Sequence, residues 1–226
     1  MLMEKERKEI AEYGRKMSSS GLSKGTSGNI SIYDPETGYM AISPSGLGYF
    51  DTEPEDVVVM DLKGNIIDGS RKPSSEHGLH TVMYLNKPDA RAVVHTHSTF
   101  CTTLACLNTP LKAVHYVIGG AGAATVPCAE YATFGTPELA ENVAKAIGKS
   151  KAVLLANHGL VTSGPSLAKA FGLAVNLEFV AEMQWRASCM GTPVVLSDAE
   201  MDTVMESFKS YGQPKKAEEK KDGMGY

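Results

Sequence analysis

Cysteine is scarce in this chain. Four occur in 226 residues (Cys101, Cys106, Cys128 and Cys189), and none forms a CxxC pair. In a chain of this length that scatter excludes a disulfide framework and favours a reducing setting. No stretch approaches the roughly 20 consecutive apolar residues that a membrane-spanning helix needs. The opening "MLMEKERKEIAEYG" is charged and lacks the apolar centre of a signal peptide. Positive charge is not concentrated either: the net charge is −4, and no basic block occurs before the last dozen residues. A nucleic-acid footprint needs a Lys/Arg-rich face, so none is expected. Neither GxxxxGK[ST] nor a strand-linked GxGxxG is present, which removes two familiar phosphate signatures. No internal repeat is visible. A soluble, cytoplasmic protein is expected, with neither membrane nor nucleic acid as partner.

What remains is an ordinary globular composition. Apolar residues make up 42% and charged residues 21%, enough apolar material for one sizeable core. One domain over 1–212 is expected, followed by a charged, mobile tail over 213–226. Residues 4–19 read as an amphipathic helix with Ile10, Ala11, Gly14 and Met17 inward. "NISIY" and "GYMAIS" read as strands around the turn "DPETG", and "DVVVMDLKGNII" as strand, turn, strand. "KPSSEHGLHTVMYLNKP" predicts a helix entered through Pro73, capped by Ser74 or Ser75 and ending near Asn86. "RAVVHTH" reads as a buried strand and 99–107 as a short helix. "AVHYVI" and "ATVPC" read as strands around "GGAGAA". "TPELAENVAKAIG" predicts a helix with Thr136 as N-cap, Pro137 in the first turn and Gly148 past its end. "KAVLLANHGLVTSG" reads as strand, histidine turn, strand, and 166–190 and 198–210 as helices. The mixture predicts an α/β fold with helices on both faces of one sheet.

Histidines carry the first chemical signal. Alternate residues of a strand share a face, so His95 and His97 project side by side. Their Cα atoms are about 6–7 Å apart at a rise of about 3.3 Å per residue. One metal ion can accept both imidazoles at about 2.0–2.1 Å. His158 also follows a buried-strand pattern, at the turn "NHG", and Glu76 is placed in the first turn of a helix. Three histidines and a carboxylate suit a tetrahedral zinc set; buried histidines with local hydrogen-bond partners are the other reading of the same spacing. His77 and His80 read as surface or packing residues and His115 as structural. The loops "GTSGN" (25–29), "SPSG" (43–46) and "PSSE" (73–76) are rich in glycine and hydroxyl side chains. Singly each is an ordinary turn. Together they suit a phosphate, because glycine brings backbone N–H groups close to an anion and a helix start adds donors.

"GLSKGTSGNIS", "PSSE", "AVVHTHS", "HYVIGGAG", "PCAEYATFGT", "LLANHGL" and "SFKSYG" occur in this order. In order and spacing they resemble the class II aldolase/adducin-head family, from about residue 5 to residue 212. The resemblance implies a three-layer α/β/α sandwich with a central mixed sheet, assembled as a homotetramer with active sites between subunits. It implies one zinc per subunit on His95, His97, His158 and Glu76, with Glu76 also the acid/base. Thr26, Gly28, Asn29, Ser45, Gly46, Ser74 and Ser75 match phosphate-holding positions. Tyr116 matches a tyrosine acting from the neighbouring subunit, Tyr211 one that closes over the site, and Phe134 an aromatic near the aldehyde pocket. The activity implied is cleavage of a ketose 1-phosphate to dihydroxyacetone phosphate and an aldehyde. L-Fuculose 1-phosphate, releasing L-lactaldehyde, is the first candidate. Rhamnulose 1-phosphate and 5-deoxypentulose 1-phosphates are alternatives. A pentulose-5-phosphate 4-epimerase would carry Asp at position 76, and the C-terminal tyrosine motif favours an aldolase over a methylthioribulose-phosphate dehydratase. A non-enzymatic adducin-like domain would lack the zinc ligands. Three features depart from the family pattern: the glycine-rich "GGAG" after Tyr116, His77 in place of a bulkier aromatic, and a longer tail ending "DGMGY".

Overall fold

The structure, a computed structural model, describes residues 1–211; the expected tail over 213–226 lies outside them. In chain order the elements are α1 (Glu4–Ser19), β1 (Asn29–Asp34), β2 (Tyr39–Ile42), β3 (Val58–Asp61), β4 (Ile66–Asp68) and α2 (His77–Asn86). Then come β5 (Ala92–Thr96), α3 (Thr99–Cys106), β6 (Leu111–Lys112), β7 (Thr125–Val126), β8 (Cys128–Ala129) and α4 (Pro137–Ala146). The chain continues through β9 (Ala152–Leu155), β10 (Gly159–Gly164), α5 (Leu167–Met190) and α6 (Asp198–Ser210).

Eight strands form one sheet in the order β4-β3-β2-β1-β5-β10-β9-β8, and β6 pairs with β7 apart from it. The β8–β9 pairing is parallel and the others in the sheet are antiparallel, so the sheet is mixed. Side-chain alternation then sorts the helices. Ile30, Ala92, Val94 and Leu160 face one core with α1, α3, α5 and α6. Val93, Val153, Leu155 and Val161 face a second core with α2 and α4. Because both faces are apolar, the central strands read as continuous hydrophobic runs. The result is the three-layer α/β/α sandwich expected. Among the described residues no helix is long and apolar enough to cross a membrane.

Two local expectations need correction. "AVHYVI" is not a strand: Tyr116–Ala121 is a 3₁₀ helix whose N-cap His115 accepts from the Val117 N–H through Nδ1. The glycines explain the change, because this turn is pressed against α6. A Cβ on Gly119 would lie 3.2–3.3 Å from Met201, Val204 and Phe208. Likewise neither Ser74 nor Ser75 is the cap of α2, which starts at His77 with Glu76 in the N-cap position. Ser74 Oγ instead accepts from the Glu76 N–H, one step before the helix.

One contact ties the core to a loop that matters below. Tyr49 packs on α1 and its hydroxyl donates to the Ser27 carbonyl. A Cβ on Gly14 would stand 2.6 Å from the Tyr49 ring. We expect Gly14→Ala to cost about 1–3 kcal/mol through overpacking, seen as a lowered urea midpoint. An unchanged midpoint would show that the ring has room to retreat.

Candidate metal centre and adjoining cleft

The sheet order brings distant residues to one point. In register, Asn29 of β1 faces His95 of β5, which faces Val161 of β10. His97 stands one residue beyond β5, and His158 occupies the turn from β9 to β10. That turn needs its neighbours on both sides. Asn157 adopts φ 54°, a conformation that asparagine tolerates better than most residues. Gly159 must be glycine, since a Cβ there would sit 2.3 Å from the Thr96 carbonyl and 3.2 Å from the His97 ring.

The three imidazoles form a nearly equilateral set. Their ring centroids are 4.8–4.9 Å apart and one nitrogen of each lies within 4.8 Å of the others. Glu76 closes the group: Oε1 is 3.3 Å from His158 Nε2 and Oε2 is 3.4 Å from His95 Nε2. His95 Nε2 and His97 Nε2 are 3.1 Å apart. A tetrahedron with bonds of about 2.0–2.1 Å has edges of roughly 3.3–3.4 Å. The residues therefore have the spacing of a tetrahedral divalent-metal site.

Electrostatics agree. His95 is fully buried, and its Nδ1–H donates to the Leu160 carbonyl, which leaves Nε2 as a lone pair facing the group. Burial first, then the neighbouring His158 and His97, pushes the His95 pKa well below its ordinary value. Burial does the same to His97 and His158, against the opposing pull of Glu76. The imidazoles are thus neutral at neutral pH and able to act as ligands, and their contacts with Glu76 are not ion pairs. Glu76 Oε2 accepts from Asn29 Nδ2 at 2.8 Å. Its Oε1 is buried and has no hydrogen-bond partner among the described residues. An orphaned buried carboxylate oxygen beside three neutral imidazoles calls for a cation.

A cleft of about 410 Å³ opens beside this group. Thr26, Gly28 and Asn29, Ser45 and Gly46, and Ser74 and Ser75 all line it, together with Glu76, His97 and His158. The second and third loops are tied by two backbone bonds, Ser45 N–H to Lys72 O and Ser74 N–H to Ser43 O. Gly28 holds φ +78°, and a Cβ there would lie 2.7 Å from the His95 carbonyl. Among the described residues the lining contains neither lysine nor arginine. An anion here would be held by backbone N–H groups and hydroxyls.

Phe134 also lines the cleft, but Tyr116 and Tyr211 do not. Those two tyrosines lie on the surface, 50% and 86% exposed, with Phe208 between them at 6.2 and 6.5 Å. His77, half-buried, does not line the cleft. Ser27 and Pro44, inside two of the expected loops but not singled out, also line it, and Tyr131, Ala132 and Asn157 do so with no prior expectation. Each adjoins a named motif residue, which was the available signal. His80 is the larger omission. It is fully buried and its Nε2 lies 2.5 Å from Asn29 Oδ1. Its spacing of four residues from Glu76 places both on one face of α2.

Gly159→Ala should cost about 1–3 kcal/mol and leave less than one metal equivalent bound after dialysis; full metal content would show that the turn can yield. The folded pKa values of His80, His95, His97 and His158 all lie below the ordinary 6.5. Below pH 6.5 the unfolded chain therefore binds more protons, and stability falls as pH drops through 6.5 toward 3. The urea midpoint of chelated protein should accordingly be lower at about pH 5 than at about pH 7.5; equal midpoints would contradict the neutral, buried state.

Residues 8–185 match the family described as Class II Aldolase and Adducin N-terminal domain. A 5-deoxy-D-ribulose 1-phosphate aldolase from Bacillus thuringiensis is 48% identical over 94% of this chain and 100% of that protein. An L-fuculose phosphate aldolase from Escherichia coli is 41% identical over 91% of this chain and 94% of that protein. A solved L-fuculose 1-phosphate aldolase superposes with a TM-score of 0.90 at 44% identity, covering 92% of this chain and 98% of that one. With these relatives spanning nearly its full described length, the chain belongs to the class II aldolase and adducin N-terminal domain family.

Proposed function

We propose that the protein is a zinc-dependent aldolase that cleaves a methyl-terminated ketose 1-phosphate to dihydroxyacetone phosphate and a short aldehyde. One observation carries this reading. Glu76 has one oxygen held by Asn29 and the other without a partner among the described residues, between three neutral imidazoles and a cleft lined by loops rich in glycine and hydroxyl side chains. Among substrates, 5-deoxy-D-ribulose 1-phosphate is favoured by the relative at 48% identity, which is covered along its whole length. L-Fuculose 1-phosphate is the second reading, supported by the relative at 41% and the structure at TM-score 0.90. Both sugars end in a methyl group, releasing acetaldehyde and L-lactaldehyde respectively.

Thr26, Gly28, Asn29, Ser45, Gly46, Ser74 and Ser75 hold the phosphate, and this grip sets the reacting carbons beside Glu76. Cleavage breaks the C3–C4 bond. The C4 hydroxyl gives up its proton as the aldehyde forms, and the electron pair stays on C3 and the adjoining ketone. Glu76 returns a proton to C3, and removes it in the condensation direction, a task worth roughly 10²–10⁴-fold. His95, His97 and His158, with Glu76 completing the set at rest, would hold one zinc per subunit, which would supply Lewis-acid stabilisation of the negative charge left by cleavage. Tyr116 of a neighbouring copy handles the proton on the aldehyde side, while Phe134 and Tyr211 enclose the aldehyde. A homotetramer is supported by the exposed aromatic surface that carries Tyr116, Phe179 and Tyr211. A cytoplasmic setting suits the four free cysteines.

The test is direct. Purified protein is incubated with each of the two sugar phosphates, and released dihydroxyacetone phosphate is coupled to NADH oxidation. We expect release from at least one, lost on chelation and restored by zinc. Glu76→Gln should retain zinc and lose about 10²–10⁴-fold in kcat. No release from either sugar would sink the aldolase reading, and activity indifferent to the chelator would sink the zinc role.

A further inference from the structure

Behind Glu76 runs a buried polar chain that crosses the interface between α2 and β1. Glu76, His80 and Tyr84 are spaced by four along the helix, about 6 Å per step at 1.5 Å per residue. Asn29 and Ser31 are alternate residues of the strand, about 6.7 Å apart. The two repeats match closely enough for the side chains to interleave. Asn29 Nδ2 bonds to Glu76 Oε2 at 2.8 Å, and His80 Nε2 to Asn29 Oδ1 at 2.5 Å. Ser31 Oγ lies 2.6 Å from both His80 Nδ1 and Tyr84 Oη. All five residues are buried.

Chemistry fixes the direction of every bond. The Glu76 carboxylate only accepts, so the Asn29 amide must turn its N–H groups to it and its oxygen to His80. His80 Nε2 must then carry a proton and donate. Burial, and after it the closeness of the His95 ring, holds the His80 pKa at about 3, so the ring is neutral and Nδ1 is an acceptor. The Ser31 hydroxyl donates to that nitrogen and accepts from Tyr84. The chain is fully satisfied, and it ends on the one Glu76 oxygen that has a protein donor, leaving Oε1 as the oxygen available for chemistry.

We propose that His80 is a positioning residue that, through Asn29, fixes the orientation of the Glu76 carboxylate for proton transfer. The proposal rests on the aldolase reading for its kinetic consequence only. Three variants test it: His80→Phe removes both ring nitrogens, His80→Gln keeps a terminal donor, and Asn29→Ala removes the intermediary. For His80→Phe we expect kcat to fall about 10- to 100-fold with KM within about twofold. Its crystal structure should show Asn29 and Glu76 reoriented, and His80→Gln should recover much of the loss. Because His80 acts through Asn29, adding His80→Phe to Asn29→Ala should lower kcat little further. Equal losses in the Phe and Gln variants, an additive double variant, or wild-type kcat in His80→Phe would each overturn the proposal. Should His80→Phe fail to fold, Ser31→Ala carries the test, since it removes the donor that fixes the His80 tautomer. A several-fold loss of kcat at constant KM supports the proposal, and an unchanged kcat overturns it. Absence of cleavage by the parent protein would defeat the aldolase reading alone. The crystal structure of His80→Phe then still decides, with an unmoved Glu76 overturning the positioning role.

Discussion

Desolvation of the histidine–glutamate group is the constraint on which the rest of the structure depends. Three imidazoles converge on one buried carboxylate. Removed from water, the rings lose their tendency to protonate and keep lone pairs for a cation. The same burial makes an unmatched oxygen costly, so Glu76 Oε1 has reason to be where a metal or a proton will meet it. The sheet supplies this environment. The site stands at the ends of β1, β5 and β10, the middle of an eight-stranded sheet, where helices cover both faces. An edge position would have left the histidines wet and their pKa values near ordinary.

Division of labour follows from the architecture. Rigid elements carry the histidines: His95 lies within β5, His97 is one residue after it, and His158 is one residue before β10. Loops carry the hydroxyl and backbone N–H groups that line the cleft, yet these loops are not loose. Ser43 and Ser45 are bonded to the segment at 72–74, and Tyr49 holds the Ser27 carbonyl. Among the described residues no Lys or Arg lines the cleft, which is physically reasonable in this setting. A charged ammonium beside the histidines would compete for Glu76, whereas N–H groups and hydroxyls can receive an anion without adding positive charge there.

The interface between α2 and β1 shows how a sheet–helix contact becomes part of a site. Around it, Leu79 and Met83 of α2 pack into the second core with Val93 of β5. Threaded through it is a line of polar groups in which every donor meets an acceptor. A satisfied buried network specifies one geometry more sharply than apolar packing does. Glu76 stands at its end, at the start of α2, where the chain has just left the serine loop that lines the cleft. Cleft lining and carboxylate placement are therefore set by the same short segment, 73–76.

Much was legible in the sequence. Periodicity located α1, the strand pairs and both C-terminal helices, because burial on one or two faces prints directly onto residue spacing. The HxH pair in "AVVHTHS" and the histidine turn in "NHG" were visible as metal-ligand types, and the hydroxyl-rich loops as candidate anion sites. Spacing could not show that these segments meet, since β1, β5 and β10 become neighbours only through the sheet order. It misread "AVHYVI" as a strand, because the contact of Gly119 with α6 is tertiary. It placed His80 among surface or packing residues, because nothing local reveals that a helix position will find Asn29 across an interface. Tyr116 and Tyr211 stand outside the cleft of a single chain. The sequence by itself determined which residues could do chemistry, through their types and periods. Only the tertiary structure decided which of them share one desolvated point, because strand order and helix register are set by the packing of the whole core.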